Sequence, residues 1–255
     1  MKLHCSDYGE GYPLIILHGL FGSSENWQTV SRSFARCYRV LALDLRNHGR
    51  SPHSDVFNYR VMASDVVEFM QEQGFPSAYV LGHSMGGKTA MQMALTFPER
   101  VDKLVVVDIA PKAYPPEQDE ILQALLSIDP AAFRKRKDVV DSLARQIPDL
   151  ALRQFLLKNL EREESGGFRW RLGLDEIQRN YPEIIEAVQG DRPFRKPTLF
   201  IRGELSNYIG EEDIPSIKGL FPFSKIVTVP RVGHWVHSEA RRRFARLVIA
   251  FLGSV

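Results

Sequence analysis

The sequence predicts an α/β fold with a mostly parallel central sheet flanked by helices. Short apolar segments rich in Val, Ile and Leu alternate with stretches whose apolar residues recur at helical spacing. The apolar segments are continuous, as in strands that are buried on both faces of a parallel sheet. The predicted strands cover residues 14–17, 39–43, 78–81, 104–107, 198–202 and 225–229, and helices are predicted at 59–73, 85–97 and 239–252.

The middle of the chain has a different character. Residues 111–196 contain several prolines, dense charge and helical stretches at 120–126 and 150–160, and no strand-like run is evident in them. We therefore expect a helical cap, or lid, inserted between two parts of one core, residues 1–110 and 197–255. The lack of an internal repeat or low-complexity linker favours one domain with a lid over two independent domains.

Composition limits the classes of function. The 33 Lys and Arg residues against 31 Asp and Glu give a formal charge of +2, so no nucleic-acid partner is expected. Two cysteines, Cys5 and Cys37, lack metal-site or disulfide spacing. No apolar leader or membrane-spanning run occurs. We expect a soluble, unprocessed cytoplasmic protein without a metal; the sequence leaves its oligomeric state open.

The segment Gly82-His83-Ser84-Met85-Gly86 matches the pattern G-x-S-x-G at the point where a predicted strand turns into a predicted helix. This context is typical of a nucleophile elbow, in which a strained turn exposes a serine hydroxyl above the strand end. The flanking glycines are needed because side chains there would clash. Ser84 is therefore the predicted nucleophile.

A second glycine-containing loop, residues 18–22, directly follows the first predicted strand. This is the position of the loop that supplies one oxyanion N–H in such sites. We assign the two donors to the backbone N–H groups of Leu20 and Met85, with Phe21 as the alternative loop donor. His18 is expected to hold the loop in position by hydrogen bonding.

The general base is predicted to be His234, which precedes the final helix in the segment Val232-Gly233-His234-Trp235. The chain order serine, acid, histidine favours a histidine on the carboxyl side of Ser84. His237 is the rival; we interpret it as exposed, because an H-x-x-H metal site would need a third ligand and none is evident. The histidines excluded by chain order are His4, His48, His53 and His83.

The acid is less obvious, because the loop after the strand at 198–202 reads Gly203-Glu204-Leu205-Ser206 where a G-x-x-D pattern is usual. Asp108, at the carboxyl end of the strand at 104–107, is the predicted acid, and Ser206 is a possible auxiliary hydrogen-bond donor. The rivals are Glu204, expected to point away, and residues 211–213, which are more typical of a helix N-terminal turn.

Four ordered motifs, HGLFG, DLRNHGRS, GHSMGG and GHW, resemble those of the α/β-hydrolase superfamily over nearly the whole chain. DLRNHGRS, together with an acid at Asp108, resembles in particular the small bacterial YbfF-type esterases. That resemblance implies short-chain esters and acyl-CoA thioesters as small-molecule substrates. Within DLRNHGRS, we interpret Asp44, Arg46 and His48 as loop architecture.

The resulting hypothesis is an acyl-enzyme mechanism on Ser84 that requires no metal or organic cofactor. Perhydrolysis, carbon–carbon bond hydrolysis and a catalytically silent ligand-binding protein are the alternatives, because fold alone excludes none of them. Apolar lid residues should form the substrate pocket, but none is assigned a binding role. The lid candidates are Phe133, Phe155, Leu156, Trp170 and Tyr181.

Overall fold

The computed structural model describes residues 1–164 and 166–254. Its main feature is a seven-stranded sheet in the order β1-β3-β2-β4-β5-β8-β9. All pairings between neighbouring strands are parallel except that of β1 with β3. The strands are β1 (Cys5–Tyr8), β2 (Pro13–Leu17), β3 (Arg39–Leu43), β4 (Ala78–His83), β5 (Val101–Val107), β6 (Leu160–Arg162), β7 (Phe168–Trp170), β8 (Thr198–Gly203) and β9 (Ser224–Val229).

Helices lie between the strands and after the last one. The first three follow the early strands, four belong to the segment between β5 and β8, and three surround β9. They are α1 (Gln28–Phe34), α2 (Tyr59–Glu72), α3 (Met85–Thr96), α4 (Asp119–Leu126), α5 (Arg136–Gln146), α6 (Leu150–Leu156), α7 (Leu174–Ile185), α8 (Ile214–Leu220), α9 (Val236–Glu239) and α10 (Arg241–Leu252).

Each of the six strands expected from apolar runs is present, and β2 shows why the runs are continuous. Its residues alternate between the two faces of the sheet: Ile15 and Leu17 join one apolar core, and Leu14 and Ile16 join the other. All four are fully buried. Helices cover both faces of the sheet, so a strand at its centre needs apolar side chains at every position.

Strand β1 was not predicted. It pairs antiparallel with β3 at the edge of the sheet, with Cys5 opposite Leu43 and Tyr8 opposite Val40. Its sequence, CSDY, contains two polar residues and none of its side chains is fully buried. An edge strand of this kind contributes little to the core, so it leaves no continuous apolar signal.

Residues 111–196, which we call the cap segment, contain α4 to α7, but the expectation that no strand interrupts them is wrong. Strands β6 and β7 form a two-stranded antiparallel hairpin within this segment. Each has three residues, and Glu161 pairs with Arg169 across the hairpin at 2.7 Å. Such short, charged strands lack the apolar run by which the other strands were found.

The parallel arrangement brings the candidate site residues to one edge of the sheet. Strands β2, β4, β5 and β8 all end there, at Leu17, His83, Val107 and Gly203. Residues that follow parallel strands meet at this carboxyl edge, where α/β proteins bind ligands. Within the described residues, no helix is both long and apolar enough to span a membrane.

Candidate active site

Ser84 lies in the turn between β4 and α3 with φ 53° and ψ −120°. This positive φ is strained for a residue other than glycine. The turn is held by the Ser84 N–H, which donates to the Val107 carbonyl at 3.1 Å. A Cβ on Gly82 would lie 2.1 Å from the Gly86 carbonyl oxygen, and one on Gly86 would lie 2.4 Å from that of Leu17. Both glycines are sterically required, as predicted.

Asp108 directly follows β5 and also has a positive φ, 53°. Its side chain is completely buried. Oδ1 accepts a hydrogen bond from the Gly203 N–H at 2.9 Å, and Oδ2 accepts one from the Ser206 hydroxyl. The distance between Asp108 Oδ2 and His234 Nδ1 is 2.8 Å. Asp108, Ser206 and His234, which lie far apart in sequence, therefore form one hydrogen-bonded group.

Ser84 and His234 line the same cavity. No hydrogen bond joins Ser84 Oγ to His234 Nε2 in the part of the chain that the structure describes. Bonds of this type often tighten only when a substrate is bound. Because Nδ1 faces Asp108, Nε2 is the ring nitrogen left for a proton transfer.

The loop at residues 18–22 forms a turn in which the Gly22 N–H donates to the Gly19 carbonyl at 2.9 Å. The Phe21 N–H donates to His48 Nε2 at 3.2 Å, so it is already engaged. The N–H groups of Leu20 and Met85 make no hydrogen bond within residues 1–164 and 166–254. Met85 is the first residue of α3, where N–H groups lack an intrahelical partner.

Histidines hold this loop in place. His18 Nδ1 lies 2.8 Å from the Gly19 carbonyl, and His18 Nε2 accepts the Leu45 N–H at 3.0 Å. His48 Nδ1 lies 2.9 Å from the Arg46 carbonyl. These contacts agree with the supporting role expected for His18.

The DLRNHGRS segment also builds the loop rather than the reacting centre. Asp44 accepts backbone N–H groups of Ser24 at 2.6 Å and Arg50 at 2.8 Å. Arg46 forms a buried two-point ion pair with Asp65, at 2.6 and 2.7 Å. The hydrogen bonds of His48 complete this network, in line with the architectural interpretation of all three residues.

His237 was expected to be exposed, and this is wrong. It is only 7% exposed, and its ring stacks on that of Trp27 with centroids 4.2 Å apart. The cause is local: His237 lies in the single-turn helix α9, which packs its Val236–His237 side under Trp27 instead of continuing into α10. Burial lowers the pKa of His237 to about 3, so the ring is neutral.

The rival acids lie elsewhere. Glu204 is exposed and accepts the Arg231 N–H at 2.8 Å. Residues Glu211–Asp213 form a helical turn directly before α8, as their sequence suggested. In the described part of the chain, no group of three or more His, Cys, Asp or Glu side chains is arranged to hold a metal ion.

Three residues at the site were not predicted from sequence. His83 Nε2 lies 3.0 Å from the His234 carbonyl, and Tyr208 stacks on the His234 ring with centroids 4.0 Å apart. Lys88, four residues after Ser84, is buried and donates from Nζ to the Glu186 carbonyl at 2.6 Å. Burial lowers the pKa of Lys88 to about 7. Of these three residues, only His83 has a signal in the sequence, because it directly precedes the predicted nucleophile, Ser84.

A cavity of about 710 Å³ opens above these residues. Of the predicted lid side chains, Phe155 and Tyr181 line it, and Phe155 also lies 5.6 Å from the Trp235 ring. Leu156 is fully buried instead, and Phe133 and Trp170 pack against the apolar core. The cavity therefore has both core and cap walls.

Comparison with known proteins decides the family. A model of the alpha/beta hydrolase fold matches residues 12–240. The chain belongs to the α/β-hydrolase family. A solved structure described as a marine microorganism esterase is 43% identical, with a TM-score of 0.96, and the match covers 98% of this chain and 99% of that one.

Curated relatives of this α/β hydrolase agree. An sn-1-specific diacylglycerol lipase, ABHD11, from Xenopus laevis is 37% identical over 96% of this chain and 80% of its own length. The esterase YbfF of Escherichia coli is 32% identical over 94% of this chain and 92% of its own. These matches confirm the resemblance and the fold class derived from the motifs, and they show that the chain is a hydrolase.

The buried histidines of this α/β hydrolase predict sensitivity to acid. Burial lowers the pKa of His48 and of His237 to about 3 from an ordinary value of 6.5, and it also lowers the pKa values of His18 and His83. The unfolded chain therefore binds more protons below pH 6.5. The contribution of these histidines to the free energy of unfolding should be complete above about pH 7 and should decrease as the pH drops below 6.5. The decrease is about 1.4 kcal/mol per pH unit for each histidine that is protonated in the unfolded chain and neutral in the folded one.

Urea unfolding at a series of pH values tests this expectation. His237→Phe keeps an aromatic ring on Trp27 and removes one titrating group. Between pH 6 and 5 the slope of its free energy of unfolding against pH should therefore be smaller by about 1.4 kcal/mol per pH unit, the contribution of one proton. Val56→Phe, which adds a ring at an exposed site and removes no titrating group, should leave the slope unchanged. A free energy of unfolding that does not change between pH 7 and 5 would contradict the assignment of neutral buried rings.

Proposed function

We propose that this protein is a serine hydrolase that cleaves carboxylic esters through an acyl-enzyme on Ser84. The observation that carries the proposal is the buried Asp108 carboxylate, 2.8 Å from His234 Nδ1, beside a cavity that also contains the strained Ser84. A carboxylate there keeps the imidazole in the tautomer whose Nε2 can accept a proton. Esters are favoured because the relatives above carry the names of esterases and a lipase.

In the first half of the reaction, His234 Nε2 takes the Ser84 hydroxyl proton as Oγ attacks the carbonyl carbon. The tetrahedral oxyanion is stabilised by the N–H groups of Leu20 and Met85. When the bond to the leaving group breaks, His234 returns the proton to the departing alcohol or thiol. Water then attacks the acyl-enzyme with His234 as base, and Ser84 is regenerated.

The cavity suits an acyl chain longer than acetyl. Its volume of about 710 Å³ lies within the range typical of sites for drug-sized ligands. Apolar residues of the cap wall, such as Leu152 and Phe155, would surround the chain.

Acyl-CoA thioesters belong to the same proposal, because a thiol leaving group needs the same proton transfer. Two free cysteines, Cys5 and Cys37, agree with a reducing, cytoplasmic setting.

Hydrolysis of p-nitrophenyl acetate, butyrate and octanoate, beside a matched acyl-CoA series, tests the function. For the wild type, kcat/KM should rise with chain length, by up to about fourfold for each methylene that the cavity buries, corresponding to about 0.8 kcal/mol. Ser84→Ala should lower kcat by about 10⁴- to 10⁶-fold, since the nucleophile is lost.

The matched control is Ser64→Ala, which removes an exposed hydroxyl that donates to the Arg60 carbonyl of its own helix. This variant should retain wild-type rates. If wild type and Ser84→Ala hydrolyse the esters equally, or if neither acts, the proposed function is wrong and a ligand-binding protein is the better account.

A further inference from the structure

The cap segment contacts the oxyanion loop through Asn159, which precedes β6. Asn159 is 1% exposed. Its Nδ2 donates hydrogen bonds to the Phe21 carbonyl at 2.7 Å and to the Leu156 carbonyl at 3.2 Å. The first of these bonds joins residues that are 138 positions apart in the chain. It connects the cap directly to the loop that contains Leu20.

Phe21 needs such support because its backbone is strained, with φ 59°. Its N–H is held from the core by His48 Nε2 at 3.2 Å, and its carbonyl is held from the cap by Asn159. Both peptide groups of Phe21 are therefore fixed. The carbonyl of Phe21 shares a peptide group with the Gly22 N–H, which donates to the Gly19 carbonyl at 2.9 Å. The Gly19 carbonyl in turn shares a peptide group with the Leu20 N–H, so fixing Phe21 also restrains the direction of the Leu20 N–H.

The other half of the Asn159 amide is unsatisfied. Its Oδ1 is buried and has no hydrogen-bond partner among the described residues. With the amide reversed, two oxygens would face each other at the Phe21 contact. A buried acceptor without a partner costs free energy, and an apolar side chain of similar size would avoid that cost. The contribution of an amide at position 159 is therefore the two hydrogen bonds that its Nδ2 donates.

A second contact holds the next part of the same loop. Arg171, directly after β7, donates its N–H to the Asn159 carbonyl at 2.8 Å. Its guanidinium pairs with Glu25 at 2.8 Å and also bonds to the Lys158 carbonyl. The hydrogen bond from Arg171 lowers the pKa of Glu25. Residues 21–25 are therefore held by two neighbouring points of the cap.

We propose that Asn159 is a positioning residue that couples the cap to the oxyanion hole. In this account, the Leu20 N–H has its productive direction only while the cap is docked on the loop. Asn159 itself is not among the described residues that line the cavity, so it acts through Phe21 and not by touching substrate. The inference rests on the proposed function, in which Leu20 stabilises an oxyanion.

The test measures steady-state kinetics and the affinity for a transition-state analogue. Loss of a complete oxyanion donor costs about 10²- to 10³-fold in kcat; Asn159→Ala, which only loosens one, should lower kcat by about 10- to 100-fold and leave KM within about twofold. Affinity for an alkyl trifluoromethyl ketone, whose adduct with Ser84 carries the same oxyanion, should fall by a similar factor. Asn159→Leu, with a similar shape but without the donor, should do the same.

Asn180→Ala is the matched control. Asn180 also lies in the cap segment and donates to a core carbonyl, that of Asp55 at 2.8 Å, but away from the oxyanion loop. It should keep wild-type kcat and analogue affinity. Urea unfolding of each variant separates a loss of folded protein from a loss of rate.

The outcomes separate the two proposals. Wild-type activity that depends on Ser84, combined with unchanged kcat or unchanged analogue affinity in both folded Asn159 variants, would overturn the positioning role alone. An equal loss in Asn180→Ala would also overturn it. A wild type without Ser84-dependent hydrolysis would refute the proposed function, and this inference with it. If Asn159→Ala does not fold, Asn159→Leu gives the decision.

Discussion

Asp108→Asn is expected to lower kcat by about 10³- to 10⁴-fold while the fold is retained. The amide that replaces the carboxylate can present an N–H to His234 Nδ1. The imidazole would then carry its proton on Nε2, from which it cannot accept the proton of Ser84. The carboxylate would also no longer stabilise the imidazolium that forms when Ser84 attacks.

Two variants calibrate this result. The control is Asp102→Asn. Asp102 lies on the same strand, β5, at its opposite end, where it pairs with Lys196 at 3.3 Å. This variant should keep a rate near that of the wild type. Ser206→Ala removes one of the donors to Asp108 Oδ2 and should cost about 10-fold or less, since the loss of one hydrogen bond is worth about 1 kcal/mol. Asp108→Asn turnover within 10-fold of the wild type would show that another group is the acid.

Gly86→Ala is expected to lower the free energy of unfolding strongly. The new Cβ would lie 2.4 Å from the carbonyl oxygens of both Leu17 and His18, and both belong to backbone that cannot move without displacing β2 and the oxyanion loop. Overpacking of this kind costs about 1–3 kcal/mol, and more where the obstacle is backbone. The free energy of unfolding should fall by about 3 kcal/mol or more, with loss of activity.

The control for Gly86→Ala is Gly219→Ala in α8, where an added Cβ would meet nothing within 4 Å. Alanine is the better helix former, so this variant should be unchanged or more stable by about 0.5–1 kcal/mol. Urea unfolding curves of the two variants give both values. If Gly86→Ala is as stable as the wild type, the close approach of α3 to β2 is not as tight as the structure indicates.

The sequence was sufficient for the part of the fold that depends on apolar periodicity. Strand β2 is an example, because burial on both faces requires an unbroken apolar run. The hairpin of β6 and β7 was missed for the opposite reason: each strand has only three residues, and Glu161, Arg162 and Arg169 leave no apolar run in it. Edge strand β1 was missed because its sequence, CSDY, is half polar and only partly buried, so it has no continuous apolar run.

The candidate site likewise contains residues that the sequence predicted and contacts that it could not predict. The position of Ser84 follows from a local motif, and the prediction of Asp108 followed from a missing aspartate at Ser206 together with the rule that parallel strands end at one edge. The burial of His237 and the hydrogen bond from Asn159 to Phe21 could not be predicted, because each depends on the side-by-side packing of segments distant in sequence.

The most direct test of the central claim is to identify the residue that reacts with a fluorophosphonate probe. Cleavage after Arg60 and Lys88 releases a peptide that contains three serines, Ser64, Ser77 and Ser84, and fragmentation mass spectrometry distinguishes them. We expect one phosphonyl group on Ser84 of the folded wild type and no adduct in Ser84→Ala. An adduct on another residue, or an unmodified Ser84 in folded protein, would contradict the account.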